Sequence, residues 1–251
     1  YNEELDQIVI SSRRLNELLV IDHSTTTVEA SSSTGGDSGM GGDFIYRWGN
    51  PKNYDRGTQA DQKLFHQHSV NWIKSGFPGS GNIILYNNGT TGSGGPGYSF
   101  VIEIEPPLNE NNNYILNSDE AYGPLNPVWS YAGNDNFTFY SGVQSGAFRL
   151  SNGNTFITVC NGGMIFEVNS IGEVLWEYTA PENVTRAFKY DENYFLVNTG
   201  DVNNDSSINV LDIVLIVNVI LSDQFNSTAD MNSDGTINVL DIVLIVNIIL
   251  N

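Results

Sequence analysis

A 29-residue repeat near the C-terminus constrains the fold of this chain more than any other feature. When the stretch from Gly200 is aligned with the stretch from Ala229, 16 of 22 positions are identical. Each copy opens with a loop that begins at Asp201 or Asp230 and carries side-chain oxygens at positions 1, 3, 5, 9 and 12. This is the spacing of an EF-hand loop, whose alternate residues point inward to supply the oxygen ligands that Ca²⁺ prefers.

The repeat therefore predicts two calcium sites. We expect them to be formed by Asp201, Asn203, Asp205, Ser207, Asn209 and Asp212, and by Asp230, Asn232, Asp234, Thr236, Asn238 and Asp241. At position 7 the ligand is expected to be the backbone carbonyl, and position 12 is Asp where a standard EF-hand has Glu. Position 6 is Gly235 in the second loop but Ser206 in the first, so the first loop is expected to be the more strained.

An apolar segment follows each loop, with the sequences VLDIVLIVNVIL and VLDIVLIVNIIL. Both segments predict helices that are apolar nearly all round. Such helices must be buried against each other or against a partner. No run of 18 apolar residues occurs in the chain, so no membrane-spanning helix is expected.

The distribution of charge narrows the choice of partners. The formal net charge is −19, and no Lys or Arg follows Lys189. Nucleic acid and anionic membrane surfaces would both repel such a chain, so neither is expected as a partner.

Cys160 is the single cysteine, which excludes an intrachain disulfide. The sequence begins with Tyr1 and not with Met; no signal peptide is expected in it, and the chain is expected to begin inside a larger protein.

Residues 1–195 have a different character, rich in Gly, Asn and aromatic residues. Short apolar runs bounded by Gly, Asn and Pro predict strands at 7–10, 18–21, 44–48, 82–86, 100–104, 155–159, 164–168 and 173–178. Trp48, Trp129 and Trp176 recur at spacings of 81 and 47 residues in similar aromatic segments. A repeat of four short strands on this scale is typical of a β-propeller blade, and an ordinary β-sandwich is the alternative.

These patterns predict a mainly β fold, a partial propeller followed by a small all-α unit. Three blades are visible, and a fourth begins in the segment 185–197. Since the smallest propellers have about four blades and an open ring exposes edge strands, further blades are expected upstream of Tyr1. We place the domain boundary at 195–200, which gives domains of residues 1–195 and 200–251.

Two histidines and a nearby arginine are the candidates for chemistry in the β region. His66 and His68 are two residues apart and would share one face of a strand. They form a possible metal pair, but no third His or carboxylate cluster lies nearby in sequence. Arg13 and Arg14 follow the first strand; an Arg fork binds a tetrahedral oxyanion, and a neutral imidazole acts as nucleophile or base. Taken alone, such residues are more often surface groups or satisfied core groups.

The C-terminal repeat resembles the type I dockerin family over residues 200–251. The shared features are two loops, Asp at position 12, one helix after each loop and a linker between them. The resemblance implies a calcium-dependent docking module that binds a cohesin module on a scaffold protein, and hence a secreted, extracellular bacterial protein. Positions 10 and 11 of each loop would face the cohesin, and these are Val210, Leu211, Val239 and Leu240. The two pairs are identical, which would allow either repeat to make the contact, and they are apolar where some dockerins have Ser or Thr.

The β region resembles bacterial arylsulfate sulfotransferases. The resemblance rests on DQIVISSRRLNELLVIDHSTT, GGDFIYRWGNP, LFHQHSVNWI, GNIILYNNG and GAFRLSNGNTFIT, and it covers almost all of residues 1–190. It implies a six-bladed propeller. It also implies transfer of a sulfuryl group from a phenolic sulfate ester to a phenol, through a sulfated histidine and without a nucleotide cofactor.

The same resemblance implies roles for individual residues. The family's nucleophilic His lies in a Gln-His motif before an apolar strand, which matches Gln67-His68 and indicates His68. The family's sulfate-binding Arg follows a Ser-Ser strand end, which matches Arg13. A hydroxyl residue from a later blade also lines the family's site, and Ser141 and Ser145 are the candidates.

The sequence also departs from the family pattern. The family's His-x-Asn motif and a further active-site His would lie upstream of Tyr1, so this chain alone is expected to lack a complete site. Many relatives read Arg-Ala-His where this chain has Arg186-Ala187-Phe188. Two alternatives therefore stay open: a non-catalytic propeller used for binding or assembly, and a polysaccharide-degradation component attached through its docking module. No carboxylate pair in a strand-end context supports a glycosidase.

Overall fold

The computed structural model describes residues 1–134, 138–190, 199–222, 225–232 and 234–250. The chain divides into two units, Tyr1–Phe188 and Lys189–Asn251. Part of the segment predicted to begin a fourth blade, 185–197, lies outside the described residues, and so does most of the predicted boundary at 195–200.

The first unit is built from antiparallel strands, and the α-helices of the described residues lie in the second, so the mainly β prediction is confirmed. The strands are β1 (Gln7–Ser12), β2 (Glu17–Asp22), β3 (Phe44–Trp48), β4 (His68–Trp72), β5 (Ile83–Asn87), β6 (Phe100–Ile104), β7 (Trp129–Tyr131), β8 (Gly146–Arg149), β9 (Thr155–Val159), β10 (Met164–Val168) and β11 (Val174–Thr179). Short 3-10 turns in the loops cover Glu29–Ser31, Pro51–Tyr54, Gln59–Asp61 and Thr91–Ser93.

The described strands form three sheets, with the orders β1-β2-β3, β4-β5-β6-β7 and β8-β9-β10-β11. Strands adjacent in sequence are adjacent in space, so each sheet is an up-and-down meander. This is the strand order of a propeller blade. Trp48, Trp129 and Trp176 each lie on the last strand of their sheet, β3, β7 and β11, in agreement with their recurrence in the sequence.

β5 contributes to both apolar cores of the first unit. All five of its residues are buried, and alternate side chains of a strand point to opposite faces. Ile83 and Leu85 pack into one core with residues of the first sheet such as Leu18. Ile84 packs into a second core with residues of the third sheet such as Ile157. The middle sheet is therefore packed on both faces, which holds β4 and its first residue between two layers.

Two buried carboxylates of the first unit are paired with arginines. Glu17 on β2 accepts hydrogen bonds from Nε and Nη2 of Arg47 on β3, at 3.2 and 2.9 Å. Glu103 on β6 accepts one from Nη2 of Arg149 on β8. Buried charges are tolerated when they are paired and hydrogen-bonded. These two carboxylates therefore have their counter-charges in the chain itself.

The second unit contains α1 (Val210–Ser222) and α2 (Val239–Leu250) around a small core in which Ile216, Ala229 and Ile245 are buried. Each helix buries one face only. The exposed large apolar side chains are Val210, Leu211, Val214, Val217 and Leu221 on α1, and Val239, Leu240, Val243, Leu244, Ile248 and Leu250 on α2. Packing between the helices thus covers only part of the apolar surface. Neither helix has the length and hydrophobicity needed to cross a bilayer, and the other described residues offer no candidate.

Candidate functional site

Gln67 anchors the start of β4 to the hairpin of β1 and β2. Its side chain is fully buried, and Nε2 donates to the backbone carbonyls of Glu17 and Ser12, at 2.8 and 3.2 Å. Ser12 ends β1, and Arg13 follows it in the turn. The anchor therefore holds the turn that carries Arg13 near the first residue of β4, His68.

His68 begins β4 at a local irregularity of the strand. It pairs with Tyr86 of β5, and the register then shifts before Asn71. Ser69, the next residue, has a φ of +55°. The His68 ring is half-buried, and its Nδ1 lies 2.7 Å from Oδ1 of Asn88. Strand irregularities of this kind often change the direction of a side chain next to a functional site. Here the side chain is that of His68, and it hydrogen-bonds to Asn88.

The charged side chains that act on His68 are cationic. Burial lowers the pKa of His68, the hydrogen bond with Asn88 opposes that change, and the charges of Arg13 and Arg186 lower the pKa further. The net pKa lies below the ordinary value of histidine, so the ring is neutral at neutral pH. Although the net charge of the chain is −19, the charges of Arg13 and Arg186 beside this ring are positive. Such a site attracts an anion.

Arg13 differs from the paired arginines of the unit. It is half-buried, and it makes no hydrogen bond or ion pair with the described residues. Arg47 and Arg149, in contrast, are bound to buried glutamates. The N–H donors of the Arg13 guanidinium are therefore available to a ligand. A tetrahedral oxyanion can accept two of these hydrogen bonds at once. Arg186 is exposed and lies over the ring of Phe148, 5.9 Å from its centroid.

His66 lies beside His68 in a left-handed backbone conformation, with a φ of +59°. Its N–H donates to Oδ1 of Asn16 at 2.8 Å, and its Nδ1 lies 2.8 Å from Oγ1 of Thr90. Burial lowers the pKa of His66, and nearby cationic groups, led by Arg13, lower it further. Within the part of the chain that the structure describes, no three or more His, Cys, Asp or Glu side chains are arranged to hold a metal.

Ser141 lies on the far side of Asn88 from the histidine. It is fully buried, and its hydroxyl donates to the carbonyl of Val143 at 2.6 Å and lies 2.7 Å from Oδ1 of Asn161. Its backbone carbonyl accepts a hydrogen bond from Nδ2 of Asn88 at 2.7 Å. Ser141 is therefore linked to His68 through Asn88. The backbone carbonyl of Ser141 makes this link, and its hydroxyl does not take part. The hydroxyl role that the family resemblance implies stays a prediction.

The structure connects two residues to His68, Asn88 and Arg186, to which the sequence assigns no role at this site. Asn88 follows β5 in the doublet Asn87-Asn88, which is conspicuous in the sequence, but its contact is with a residue 20 positions away. Arg186 is separated from His68 by 118 positions, and only the tertiary fold of the first unit brings their charges together. A polar doublet at a strand end is the one local signal that points to Asn88.

The two C-terminal loops share one internal geometry. Asp201 and Asp230 each accept backbone N–H groups from positions 5 and 6 of their loop, at 2.9–3.2 Å. Asp212 and Asp241, at position 12, each accept N–H groups from both ends of the loop. Burial raises the pKa of Asp212, but backbone N–H donors, led by that of Asn209, lower it more, and the net pKa lies below the ordinary value.

The chemistry of these loops fits Ca²⁺. Asp212 and Asp241 are fully buried, and Asp201 and Asp230 are only 3% and 6% exposed. No Lys, Arg or His follows Lys189, so the chain supplies no basic side chain from there on to balance these carboxylates. A carboxylate has about four lone-pair sites and keeps acceptor capacity beyond its N–H bonds. Asn side chains and a backbone carbonyl complete the predicted ligand set, so a site of this kind does not need three acidic side chains around one point. The described residues contain no such group of three.

Position 6 adopts a left-handed backbone conformation in both loops. The φ angle is +67° at Ser206 and +80° at Gly235. A residue with a Cβ costs roughly 1–2 kcal/mol in this region, and glycine does not. The first loop therefore carries the strain that its sequence predicts.

The meandering sheets and the paired loops define a mainly β protein with a C-terminal docking module. A family model for arylsulfotransferases (ASST) matches residues 1–199, and a model for dockerin type I domains matches residues 199–250. The chain belongs to the arylsulfotransferase family and carries a dockerin type I domain. Both resemblances seen in the sequence are thereby confirmed. A comparison with curated proteins gives no match.

Proposed function

We propose that this protein transfers a sulfuryl group from a phenolic sulfate ester to a phenol, with His68 as the nucleophile. The observation that carries the proposal is the setting of His68, a half-buried imidazole bound to Asn88, whose pKa is lowered by burial and by the charges of Arg13 and Arg186. A sulfate ester is an anion, and the positive charges of Arg13 and Arg186 attract it. Membership of the arylsulfotransferase family supports the same reaction.

The transfer proceeds in two displacements. His68 attacks the sulfur through a ring nitrogen, an N–S bond forms, and the S–O bond to the aryl group breaks, so that a phenolate leaves. The acceptor phenol then attacks the same sulfur through its oxygen. The N–S bond breaks, the new S–O bond forms, and the phenol proton is released. One covalent intermediate thus replaces a single difficult step, and no nucleotide cofactor is needed.

Arg13 and Ser141 have supporting roles in this proposal. The free guanidinium of Arg13 binds sulfuryl oxygens and holds the sulfur in line with the His68 ring, where it stabilises charge in the transition state. Ser141 contributes through the carbonyl that binds Asn88. We assign these residues to a catalytic domain of residues 1–195 and the docking function to residues 200–251.

A test of His68 uses the full-length protein and para-nitrophenyl sulfate. His68→Ala is expected to lower turnover by roughly 10⁴-fold or more, because the nucleophile is lost. His23→Ala is the matched control, since His23 is bound to Asp6 and lies outside the site. Mass spectrometry of the donor-treated protein should find one sulfuryl group on His68. A His68→Ala protein that retains full turnover would disprove the mechanism, and no turnover by the parent protein would favour a non-catalytic propeller.

A test of Arg13 uses its sequence neighbour as the control. Arg13→Met is expected to lower kcat by about 100-fold or more, the effect of removing one preorganised donor from a transition state. Arg14→Met should change kcat little, because Arg14 is exposed. Equal losses in the two variants would show that only the net charge of the turn matters.

The dockerin type I domain implies binding to a cohesin, and we propose that the contact is made by Val210, Leu211, Val239 and Leu240. These side chains are 55–65% exposed although they are apolar. The loops would hold Ca²⁺ through their carboxylates, amides and carbonyls, and the cation would fix the helices in place. We further propose that the protein is secreted and works outside the cell, where such a complex assembles.

The docking test measures binding of the full chain to type I cohesin modules in the presence of calcium. Changing both residues of one repeat to Asp should weaken binding by only about twofold, because the other repeat remains. Changing all four should weaken it by more than about 100-fold. Ile171→Asp, at an exposed apolar site of the first unit, is the control. Unchanged binding by the fourfold variant would refute the proposed surface.

A further inference from the structure

The side chain of Asn88 has a fixed orientation. The residue is fully buried, immediately after β5. Its Nδ2 donates to the backbone carbonyl of Ser141 at 2.7 Å and to that of Gln144 at 3.2 Å. A flipped amide would turn its oxygen toward two carbonyl oxygens, which only accept hydrogen bonds. The two carbonyls therefore direct the amide oxygen of Asn88 toward His68.

This orientation determines which ring nitrogen of His68 carries the proton. Oδ1 of Asn88 lies 2.7 Å from Nδ1 of His68, and an amide oxygen only accepts. Nδ1 must therefore be the donor. In the neutral ring the other nitrogen, Nε2, then carries the lone pair. The backbone carbonyl of His66 also raises the pKa of this ring, but by less than the hydrogen bond with Asn88 does.

The carbonyls that hold Asn88 belong to a loop with unusual backbone geometry. Gln144 and Ser145 have φ angles of +50° and +79°, which cost roughly 1–2 kcal/mol for each residue. Hydrogen bonds maintain this geometry: the N–H of Ser145 donates to the carbonyl of Thr185 at 3.1 Å, and its hydroxyl accepts from the N–H of Cys160 at 2.9 Å. Strain that is held in this way commonly marks functional sites.

We propose that Asn88 is a positioning residue for sulfuryl transfer, which keeps His68 in the Nδ1–H tautomer and leaves its Nε2 lone pair free to attack sulfur. This inference rests on the proposed function of His68. Asn88 touches neither sulfate nor acceptor and acts only through the histidine. The opposite tautomer would present a protonated nitrogen to the sulfur, and such a nitrogen cannot act as the nucleophile.

The tautomer is measured directly by nuclear magnetic resonance of the full-length protein with isotope-labelled histidine. The signal of His68 is assigned by its absence in His68→Gln. The expected pattern in the parent protein is a protonated Nδ1 and an unprotonated Nε2. In Asn88→Ala the protonated nitrogen should change to Nε2 in most molecules. A parent protein with Nε2–H, or an Asn88→Ala protein with an unchanged pattern, would overturn the proposal.

A comparison of two variants of Asn88 separates positioning from structural support. Asn88→Ala loses the acceptor for His68 and both donors to the loop, whereas Asn88→Asp loses the donors and keeps an acceptor oxygen. At alkaline pH, Asn88→Ala should lower kcat by about 100-fold or more with little change in KM, and Asn88→Asp should retain the Nδ1–H tautomer and a larger kcat. Equal losses in the two variants would show that Asn88 acts only by supporting the loop.

Asn87→Ala is the matched control for local stability. Asn87 is equally buried and hydrogen-bonds to the backbone of Lys63 and Phe65, but in the described residues it makes no hydrogen bond with the His68 ring. Its loss should lower thermal stability and leave the His68 tautomer unchanged. The tautomer measurement needs no substrate. A parent protein with the expected tautomer but no turnover would reject the proposed function and not the role of Asn88 in orienting His68.

Discussion

Glu103 in the first unit and Asp212 and Asp241 in the second are buried carboxylates with different sources of counter-charge. In the first unit Glu103 is paired with Arg149, a cation from the same chain. In the second unit Asp212 and Asp241 are fully buried, and no basic residue follows Lys189. Glu103 thus has a counter-charge from its own chain, whereas the buried aspartates of the second unit fit a cation from solution. Calcium should therefore govern the stability of one unit and leave the other unaffected.

The largest expected effect is that of calcium removal on the second unit. Two sites, each at about 1,000 times its dissociation constant, would stabilise the folded state by about 4 kcal/mol apiece. The small core around Ile216 and Ile245 cannot replace that contribution. Chelation should abolish the helical signal of α1 and α2 in far-ultraviolet circular dichroism.

The first unit provides the control within the same sample. All four Trp residues lie in it, so Trp fluorescence reports on that unit alone. Its thermal transition should be the same with and without calcium. A helical signal that survives chelation, or a fluorescence transition that follows calcium, would contradict the comparison.

The next effect in size concerns the paired arginine. Arg149→Met should destabilise the first unit by about 3–5 kcal/mol, because it leaves Glu103 buried without a counter-charge. Thermal unfolding followed by Trp fluorescence measures the loss, which should not depend on calcium. The double variant Arg149→Met/Glu103→Leu should recover much of the stability, because an apolar pair needs no charge balance. A double variant as unstable as the single one would assign the loss to packing.

A smaller effect is expected within the second unit. Ser206→Gly should stabilise the calcium-bound unit by about 1 kcal/mol, because it removes the Cβ that makes the left-handed backbone conformation at this position costly. Gly235→Ser is the reciprocal variant, and the space beside Gly235 is open, so only backbone strain should act. The thermal transition of the helical signal measures both. Changes of the same sign would show that the two loops do not differ in the way that their φ angles indicate.

The smallest effect is on the pH dependence of turnover. The pKa of His68 is lowered, so the ring stays neutral as the pH falls through the ordinary range of histidine. The acid limb of the kcat/KM profile should therefore lie below pH 6.5. Arg13→Met removes one of the charges that lower the pKa and should move the limb upward. Lys52→Met, at an exposed lysine of the same unit, should leave the limb in place.

The sequence predicts most strands because alternation of side chains is a local property. The runs at 155–159 and 164–168 coincide with β9 and β10, and the run at 82–86 lies within one residue of β5. β4 is harder to find, since a register shift and a positive φ at Ser69 interrupt its alternation. β8 has four residues, too few for a clear pattern.

The site is predictable only where a local motif carries it. Gln67-His68 and Arg13 stand in short motifs, and the structure places them together. The orientation of the His68 ring is not predictable in this way, because the carbonyls that hold Asn88 come from a loop 53–56 positions away. The calcium loops are the opposite case, since each predicted ligand set lies within twelve consecutive residues.

The absence of basic residues after Lys189 has a practical consequence for proteolysis. Trypsin cuts only after Lys and Arg, so it has no cleavage site from Tyr190 onward. The docking module resists this enzyme whether it is folded or not, and trypsin cannot report its unfolding. A protease that cuts after apolar residues can, because α1 and α2 are rich in Val, Leu and Ile. Exhaustive tryptic digestion should instead release the module as one intact acidic peptide, separable by anion exchange.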